Sequence, residues 1–260
     1  MSIGGQSVRV ILDERTRRRL AVATRFGDIR EFETIGSTNR WLLAEAATGA
    51  PEGLVAVAEH QSAGRGRLDR VWDAPPATSL LVSMLLRPLL APGRLWLATA
   101  AVGLAARTAC VGVAGITPEL KWPNDLLVDG AKLAGVLAES AGGAVVVGIG
   151  LNVRWAPPGA VSAESAARRP VDRSALLVAL LEGVEGWYGR WPQVALAYRA
   201  ACATVGRTVE ISFPRSGRRP GPGGDLVGVA EGLDDDGRLL VRAPDGRMEA
   251  VSAGDVVHVR

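Results

Sequence analysis

Residues 126–153 read LLVDGAKLAGVLAESAGGAVVVGIGLNV. An apolar run, the dipeptide Asp129-Gly130 and a second apolar run make a β-hairpin, because Asp-Gly accepts the positive φ angles of a tight two-residue turn. AVVVGIGLNV (144–153) is a further strand. Alternate residues of a strand share a face, so Gly148, Gly150 and Asn152 point one way and Val147, Ile149 and Leu151 the other. One face is therefore bare backbone beside a single amide. Either a flat ligand lies against it, or a neighbouring element packs close.

Immediately upstream, KWPND (121–125) is a turn that presents Lys121, Asn124 and Asp125, since Pro123 drives Trp122 towards an extended conformation. Lys132 opens the strand after the hairpin turn. These are the chain's two lysines; all the rest of its 30 Lys and Arg residues are arginine. An ammonium is a compact point charge and a guanidinium a planar fork, so the clustering hints at ammonium chemistry here, with a simple ion pair as the alternative for either lysine.

Two further segments carry candidate chemistry. GRGRLDRVW (64–72) follows an apolar strand; its glycines permit close backbone approach, and Arg65, Arg67 and Arg70 offer forked donors matched to carboxylate or phosphate oxygens. It is not a Walker A loop, lacking Gly-Lys-Ser/Thr, nor a dinucleotide fingerprint, because Asp69 stands where the third glycine belongs. A solvated loop or an Arg/Gly contact to nucleic acid is the other reading. Ser37-Thr38-Asn39 either caps a helix over 37–49 or holds a polar ligand group at that helix N-terminus.

The remaining pattern places a basic helix at 13–24, strands at 54–61 and 79–88, a buried helix at 95–112 stopped by Gly112, and helices at 173–190 and 193–204. Asp172 caps the first of that pair, Pro192 separates them and Gly206 follows. Beyond Gly206 the texture changes to RTVEISF, LVGVAEGL, RLLVRA, MEAVS and VVHVR joined by DDDG, PDG and AGD, the pattern of a small β-barrel, with SGRRPGPGG (216–224) as a Pro/Gly-rich loop.

Composition narrows the classes. With 260 residues, 48% hydrophobic and 22% charged, the chain is globular rather than disordered. The longest apolar stretch, near 95–106, is short for a bilayer, and the N-terminus shows no secretory signal, which makes cytoplasm the default. Cys110 and Cys202 form no CxxC and read as buried structural residues; two histidines supply neither a metal cluster nor a Ser-His-Asp triad. A net charge of +3 suits an anionic ligand or a weak nucleic-acid binder.

Taken together and in order, STN (37–39), AEHQSAGRGRLDRVW (58–72), KWPNDLLVDGAKLAG (121–135) and GIGLNV (148–153) resemble the biotin protein ligases. The resemblance implies an α+β fold, a mixed β-sheet flanked by helices with a small C-terminal β-barrel. It divides the chain into a short N-terminal extension (1–26), a biotin/lipoate ligase-like catalytic domain (27–204) and a small β-barrel domain (205–260). It implies an enzyme that activates biotin with ATP to biotinyl-5′-adenylate, then passes biotin to one lysine of a biotin carboxyl carrier domain. By resemblance, Ser37, Thr38, Asn39, Gln61, Gly64, Gly66, Gly148 and Gly150 surround biotin, while Arg65, Arg67 and Lys132 serve its carboxyl group and the reaction. Arg70, Trp72, Lys121, Asn124 and Asn152 would serve the nucleotide, and Asp125 the Mg2+.

The chemistry agrees with that assignment. Joining a carboxylate to a triphosphate brings like charges together, so fixed cations are the main requirement and no enzyme nucleophile is needed. Aligning the two bound substrates can contribute roughly 7–11 kcal/mol. One departure is Asp69, where the family has glycine; it can pair with Arg67 or Arg70 and stiffen a loop of like charges that is otherwise expected to order only with the adenylate. The first motif begins at Ser37, which leaves too little preceding chain for an N-terminal DNA-binding domain, so neither DNA nor a membrane is an expected partner, and Arg15, Arg17, Arg18 and Arg19 read as a solvated helix face. The rival readings are a lipoate-protein ligase of the same fold and a nucleic-acid-binding module; only 5% aromatic content weighs against the latter.

Overall fold

Two sheets organise the chain in the computed structural model, which describes residues 11–68, 70–213, 225–252 and 254–259. The larger sheet is built from β1 (Ile29–Ile35), β2 (Val55–Gln61), β3 (Ser79–Leu86), β4 (Glu119–Lys121), β5 (Asp125–Val128), β6 (Ala131–Ala141) and β7 (Ala144–Asn152). Its spatial order is β1-β2-β3-β7-β6-β5-β4, with β1 parallel to β2 and every other pair antiparallel. The mixed sheet is therefore present as expected. The hairpin turn between β5 and β6 has φ of 51° at Asp129 and 79° at Gly130, the positive values that the Asp-Gly pair predicts.

β3 is buried at all eight positions, because helices cover both faces. On one side lies α2 (Thr38–Ala47), whose Leu42 packs with Ala56, Leu85 and Val146. On the other lie α3 (Trp96–Ala109), α5 (Arg173–Trp187) and α6 (Trp191–Ala201), which share the main core with Leu80, Val82, Met84, Val147, Ile149 and Leu151. The odd-numbered residues of β7 thus feed the main core. Its glycines face the α2 side. α3 and α5 approach closely where Gly183 meets Ala105; a Cβ on Gly183 would stand 3.0 Å from that of Ala105.

Several boundaries differ from the sequence expectation. The helix from Trp96 does not stop at Gly112 but continues through a π-type turn, Cys110–Ala114, and ends at Gly115, whose φ of 70° supplies the left-handed cap. With its leading turn the run Pro92–Ala114 is 23 residues, long and apolar enough to span a membrane by length alone; 67% of its most apolar window is buried, so it serves as a core helix. Pro192 lies inside the first turn of α6, where a missing N–H costs nothing, rather than between two helices. β1 and the short α4 (Ala163–Ala167) were not evident from periodicity. α1 itself spans Glu14–Ala23 and Asp172 caps α5 through bonds from the Ser174 and Ala175 amides, both as the pattern suggests.

After α6 the chain forms a five-stranded antiparallel sheet from β8 (Thr208–Ser212), β9 (Leu226–Leu233), β10 (Leu239–Arg242), β11 (Met248–Val251) and β12 (Asp255–His258), in the order β11-β10-β9-β8-β12. The loop at 216–224 lies outside the described residues. Two indoles seat this sheet on the larger one. Trp122 donates from its backbone to Thr204 Oγ1 (3.0 Å) and from Nε1 to the Gly237 carbonyl (2.9 Å), and Trp96 Nε1 donates to the Asp235 carbonyl (3.1 Å). The turn between β9 and β10 is thereby fixed against the Trp122 turn.

A buried ion pair ties β2 to α5. Arg173 Nη1 stands 2.8 Å from Glu59 Oε2, and both side chains are about one-tenth exposed. Arg173→Leu leaves the Glu59 carboxylate buried without a cation, and is expected to cost about 3–5 kcal/mol, read as a lower urea midpoint at unchanged m-value.

Candidate active site

A cavity of about 310 Å³ opens on the glycine-bearing face of β7. β6 and β7 form its floor, the 64–72 loop its cover, the start of α2 one end and the Lys121–Asp125 turn the other. Residues 254–257, from the start of β12, complete a side wall.

At the α2 end the wall is a hydrogen-bond network of uncharged side chains, backed by the Glu139 carboxylate. Ser37, Thr38 and Asn39 are each 5% exposed or less. Ser37 does cap α2, at a long 3.5 Å to the Arg40 amide, so capping alone does not account for the triplet. The Thr38 amide and hydroxyl both donate to Gln61 Oε1, at 2.8 and 3.0 Å. Ser83 Oγ lies 2.7 Å from Thr38 Oγ1 and 2.6 Å from Asn39 Oδ1. Asn39 Nδ2 in turn donates to Glu139 Oε2 (2.9 Å) and to the Leu137 carbonyl (3.2 Å).

The bare strand face is occupied by the protein's own side chains. A Cβ on Gly150 would come within 2.7 Å of the Trp72 indole nitrogen, and one on Gly148 would overlap the Asn39 amide. Both glycines are closely packed and also line the cavity. The Trp72 indole nitrogen is buried and finds no partner among the described residues, while Lys132 Nζ sits 5.7 Å from the ring centroid, within cation–π range.

Cations gather at the other end. The loop closes on itself through Gly66 N–H to Arg70 O (2.7 Å) and Trp72 N–H to Gly64 O (3.0 Å). Each of its arginines then finds a partner on a different element: Arg65 pairs with Glu139 on β6, Arg67 Nη1 donates to Asn124 Oδ1 (3.3 Å), and Arg70 pairs with Asp255 on β12. A loop of like charges is in this way held by three contacts. Asp69, expected to pair with Arg67 or Arg70, lies outside the described residues. Lys132 Nζ stands 2.7 Å from Asp125 Oδ1, at ion-pair distance though not aligned as a hydrogen bond.

Burial lowers the Lys121 pKa below the ordinary lysine value, and the nearby Lys132 and Arg70 push the same way against Asp125 and Asp255. Burial likewise lowers that of Arg67, opposed by Asp125 and Asp255, yet a guanidinium remains charged. Arg65, Arg67, Arg70, Lys121 and Lys132 all reach the cavity wall, against Asp125 and Asp255. Such an excess of fixed positive charge in a recess suits an anion of several charges. The described residues hold no group of three or more His, Cys, Asp or Glu placed to bind a metal.

Of the residues nominated by sequence, Gly64 and Asn152 stay outside the wall. Gly64 is pressed against the Trp72 carbonyl, where a Cβ would overlap it. Asn152 is 2% exposed and its amide donates to the Lys132 and Val161 carbonyls, at 3.4 and 3.3 Å. Three residues that sequence reasoning missed belong to the site: Ser83, Glu139 and Asp255. Ser83 left a signal, a hydroxyl in the middle of the apolar, fully buried run 80–86.

Comparison with known proteins gives a consistent picture. The model of the Biotin/lipoate A/B protein ligase family matches residues 31–155, and that of the Biotin protein ligase C terminal domain matches 218–259. The chain is 40% identical to the biotin--[acetyl-CoA-carboxylase] ligase of Mycobacterium tuberculosis over 96% of both chains. It is 29% identical to the bifunctional ligase/repressor of Bacillus subtilis, covering 85% of this chain and 71% of that one. Among solved structures, the biotin protein ligase of Aquifex aeolicus in complex with biotin and ATP aligns with a TM-score of 0.73 at 24% identity, over 90% of this chain and 100% of that one. That of Leishmania major in complex with biotinyl-5-AMP aligns with a TM-score of 0.59 at 25% identity, over 87% and 99%.

The contact between Gly150 and Trp72 is directly testable. Gly150→Ala is expected to cost about 1–3 kcal/mol through overpacking. In a Trp72→Ala background most of that cost should vanish, which a double-mutant cycle by urea unfolding measures as coupling.

Proposed function

This chain belongs to the biotin protein ligases, and on that premise we propose how its cavity divides the work of activating biotin with ATP and passing it to a lysine of a biotin carrier protein. The observation that carries the proposal is the polarity of the cavity: uncharged, hydrogen-bonded wall residues at one end and five cationic side chains at the other.

In the first step a biotin carboxylate oxygen forms a bond to the α-phosphorus of ATP as the bond to the bridging oxygen breaks, giving biotinyl-5′-AMP and pyrophosphate. Both partners are anionic, so the barrier is lowered by cations already in place. In the second step the neutral amine of the acceptor lysine attacks the acyl carbon and AMP leaves. ATP supplies the activation, and the chain needs no nucleophile of its own.

Thr38, Asn39 and Gln61, with Ser37 and Ser83, are assigned to the ureido head, whose N–H and C=O groups such a network can satisfy. A ureido head can exchange hydrogen bonds with this polar end whereas an apolar dithiolane offers it none, which favours biotin over lipoate. Arg65, Arg67 and Lys132 face the carboxylate and the α-phosphate; Lys132 is a point charge that can sit between the two, a place the broader guanidinium plane does not fit. Arg70, Trp72, Lys121 and Asn124 serve the nucleotide. Gly64 and Asn152 act on the loop and on the end of β7, not on ligand. Mg2+ takes oxygen ligands, commonly one or two carboxylates with substrate phosphates, and Asp125 on the cavity wall fits that need. When bound, the ion would neutralise phosphate charge. The acceptor is assigned as the carrier domain of a biotin-dependent carboxylase, and the setting as cytoplasmic, in keeping with two free, buried cysteines.

Lys132→Arg keeps the charge and changes its shape. Adenylate formation, followed by mass spectrometry with Mg-ATP and biotin, is expected to fall at least about 100-fold at an unchanged melting temperature; wild-type rates would refute the role given to Lys132. Lys121 adds a pH signature. Its folded pKa lies below 10.5, and a polyphosphate beside it would raise that value again. ATP binding is therefore expected to take up protons as pH approaches 10.5 from below, and Lys121→Met to abolish that uptake, measured by calorimetry in buffers of different ionisation enthalpy.

A further inference from the structure

Glu139 lies outside the motifs that carry the family resemblance, yet β6 delivers it to the site. In the ladder with β7, Gly135 stands opposite Gly150, Leu137 opposite Gly148 and Glu139 opposite Val146, so these three residues of β6 share the face on which the cavity opens. The carboxylate occupies an adjoining recess of about 250 Å³, with Arg65, Gly66, Arg67 and Leu137 common to both spaces.

The two carboxylate oxygens serve opposite ends of the site. Oε1 is paired with the Arg65 guanidinium, and Oε2 accepts from Asn39 Nδ2 at 2.9 Å. With one nitrogen of Arg65 engaged, its other donors remain available to an anion in the main cavity, and the long side chain is ordered before that anion arrives. On the Asn39 side the effect is one of polarity. A carboxylate and the Leu137 carbonyl both accept from Nδ2, so the amide cannot turn over, and Oδ1 must face Ser83. Asn39 Oδ1 carries no hydrogen, so in this contact the Ser83 hydroxyl is the donor.

We propose that Glu139 is a positioning residue: its carboxylate holds the Arg65 guanidinium at the anionic end and fixes the Asn39 amide at the head-group end, so that one side chain sets both. The inference rests on the assignment of this cavity to biotin and ATP. A plain exposed ion pair, worth about 0–1 kcal/mol, would set neither.

The test is Glu139→Gln in the full-length protein, assayed for pyrophosphate release with biotin and Mg-ATP. Gln keeps the size, loses the charge that holds Arg65, and can present a donor to either neighbour. The KM for biotin is expected to rise by about tenfold while that for ATP stays within about twofold, the loss of roughly one charge-assisted bond. In an Arg65→Gln background the same substitution should cost much less, because its main partner is gone. Glu139→Asp, with the charge withdrawn by one methylene, should fall between wild type and Gln, and supplies the readout if Gln at 139 fails to fold. Unchanged biotin KM in both variants, a parallel rise in both KM values, or full additivity with Arg65→Gln would each overturn the proposal. Wild-type protein that releases no pyrophosphate would instead overturn the reading of the cavity itself.

Discussion

The site depends on two alternate positions of one strand, Gly148 and Gly150 of β7, that carry no side chain. β7 runs through the middle of the seven-stranded sheet, so a residue with a Cβ at 148 or 150 would meet neighbours that cannot retreat. Gly150 admits the Trp72 indole and Gly148 admits the Asn39 amide. Trp72 anchors the end of the arginine loop, and Asn39 anchors the start of α2, so two otherwise independent segments are registered against one rigid surface. A binding site built on central strands is held more firmly than one built on loops alone.

Charge is arranged on that surface by pairing rather than by neutralising. Each loop arginine is engaged by a group from a different element, and Lys132 by Asp125. These pairs hold the cations in place while their number still exceeds that of the carboxylates on the wall. An excess of this kind favours a substrate that carries more negative charge than the partners it meets, which is the case when a carboxylate and a triphosphate bind together. At the other end the wall carries uncharged polar groups bonded to one another, and a ligand that displaces those bonds must offer matching donors and acceptors.

The C-terminal sheet is part of this arrangement. Its β9–β10 turn is held by Trp96 and Trp122, and the start of β12 brings Asp255 against Arg70. Trp122 belongs to the same turn as Lys121 and Asn124, so the placement of the second sheet and of the nucleotide-side residues are mechanically linked.

Local chemistry determined much of this from the sequence. The Asp-Gly hairpin, the apolar strands 54–61 and 79–88 and the capped helices at 37 and 172 each follow from turn, capping and periodicity rules acting over a few residues, while the four motifs spoke through their resemblance to a family. The even-numbered face of β7 was legible as bare for the same reason. What filled it was not, because Trp72 and Asn39 are distant in sequence and only the sheet brings them to Gly150 and Gly148. The helix end at Gly115 rather than Gly112 was decided by which glycine adopts a left-handed backbone, a matter of how α3 packs. Asn152 looked free on paper and is spent on the carbonyls of Lys132 and Val161; Glu139 and Asp255 looked ordinary and are the partners of the loop. Residue types and spacings declare which chemistry a chain can supply, since those are properties of short segments. Which carboxylate meets which cation is a long-range contact, and only the closed tertiary structure fixes it.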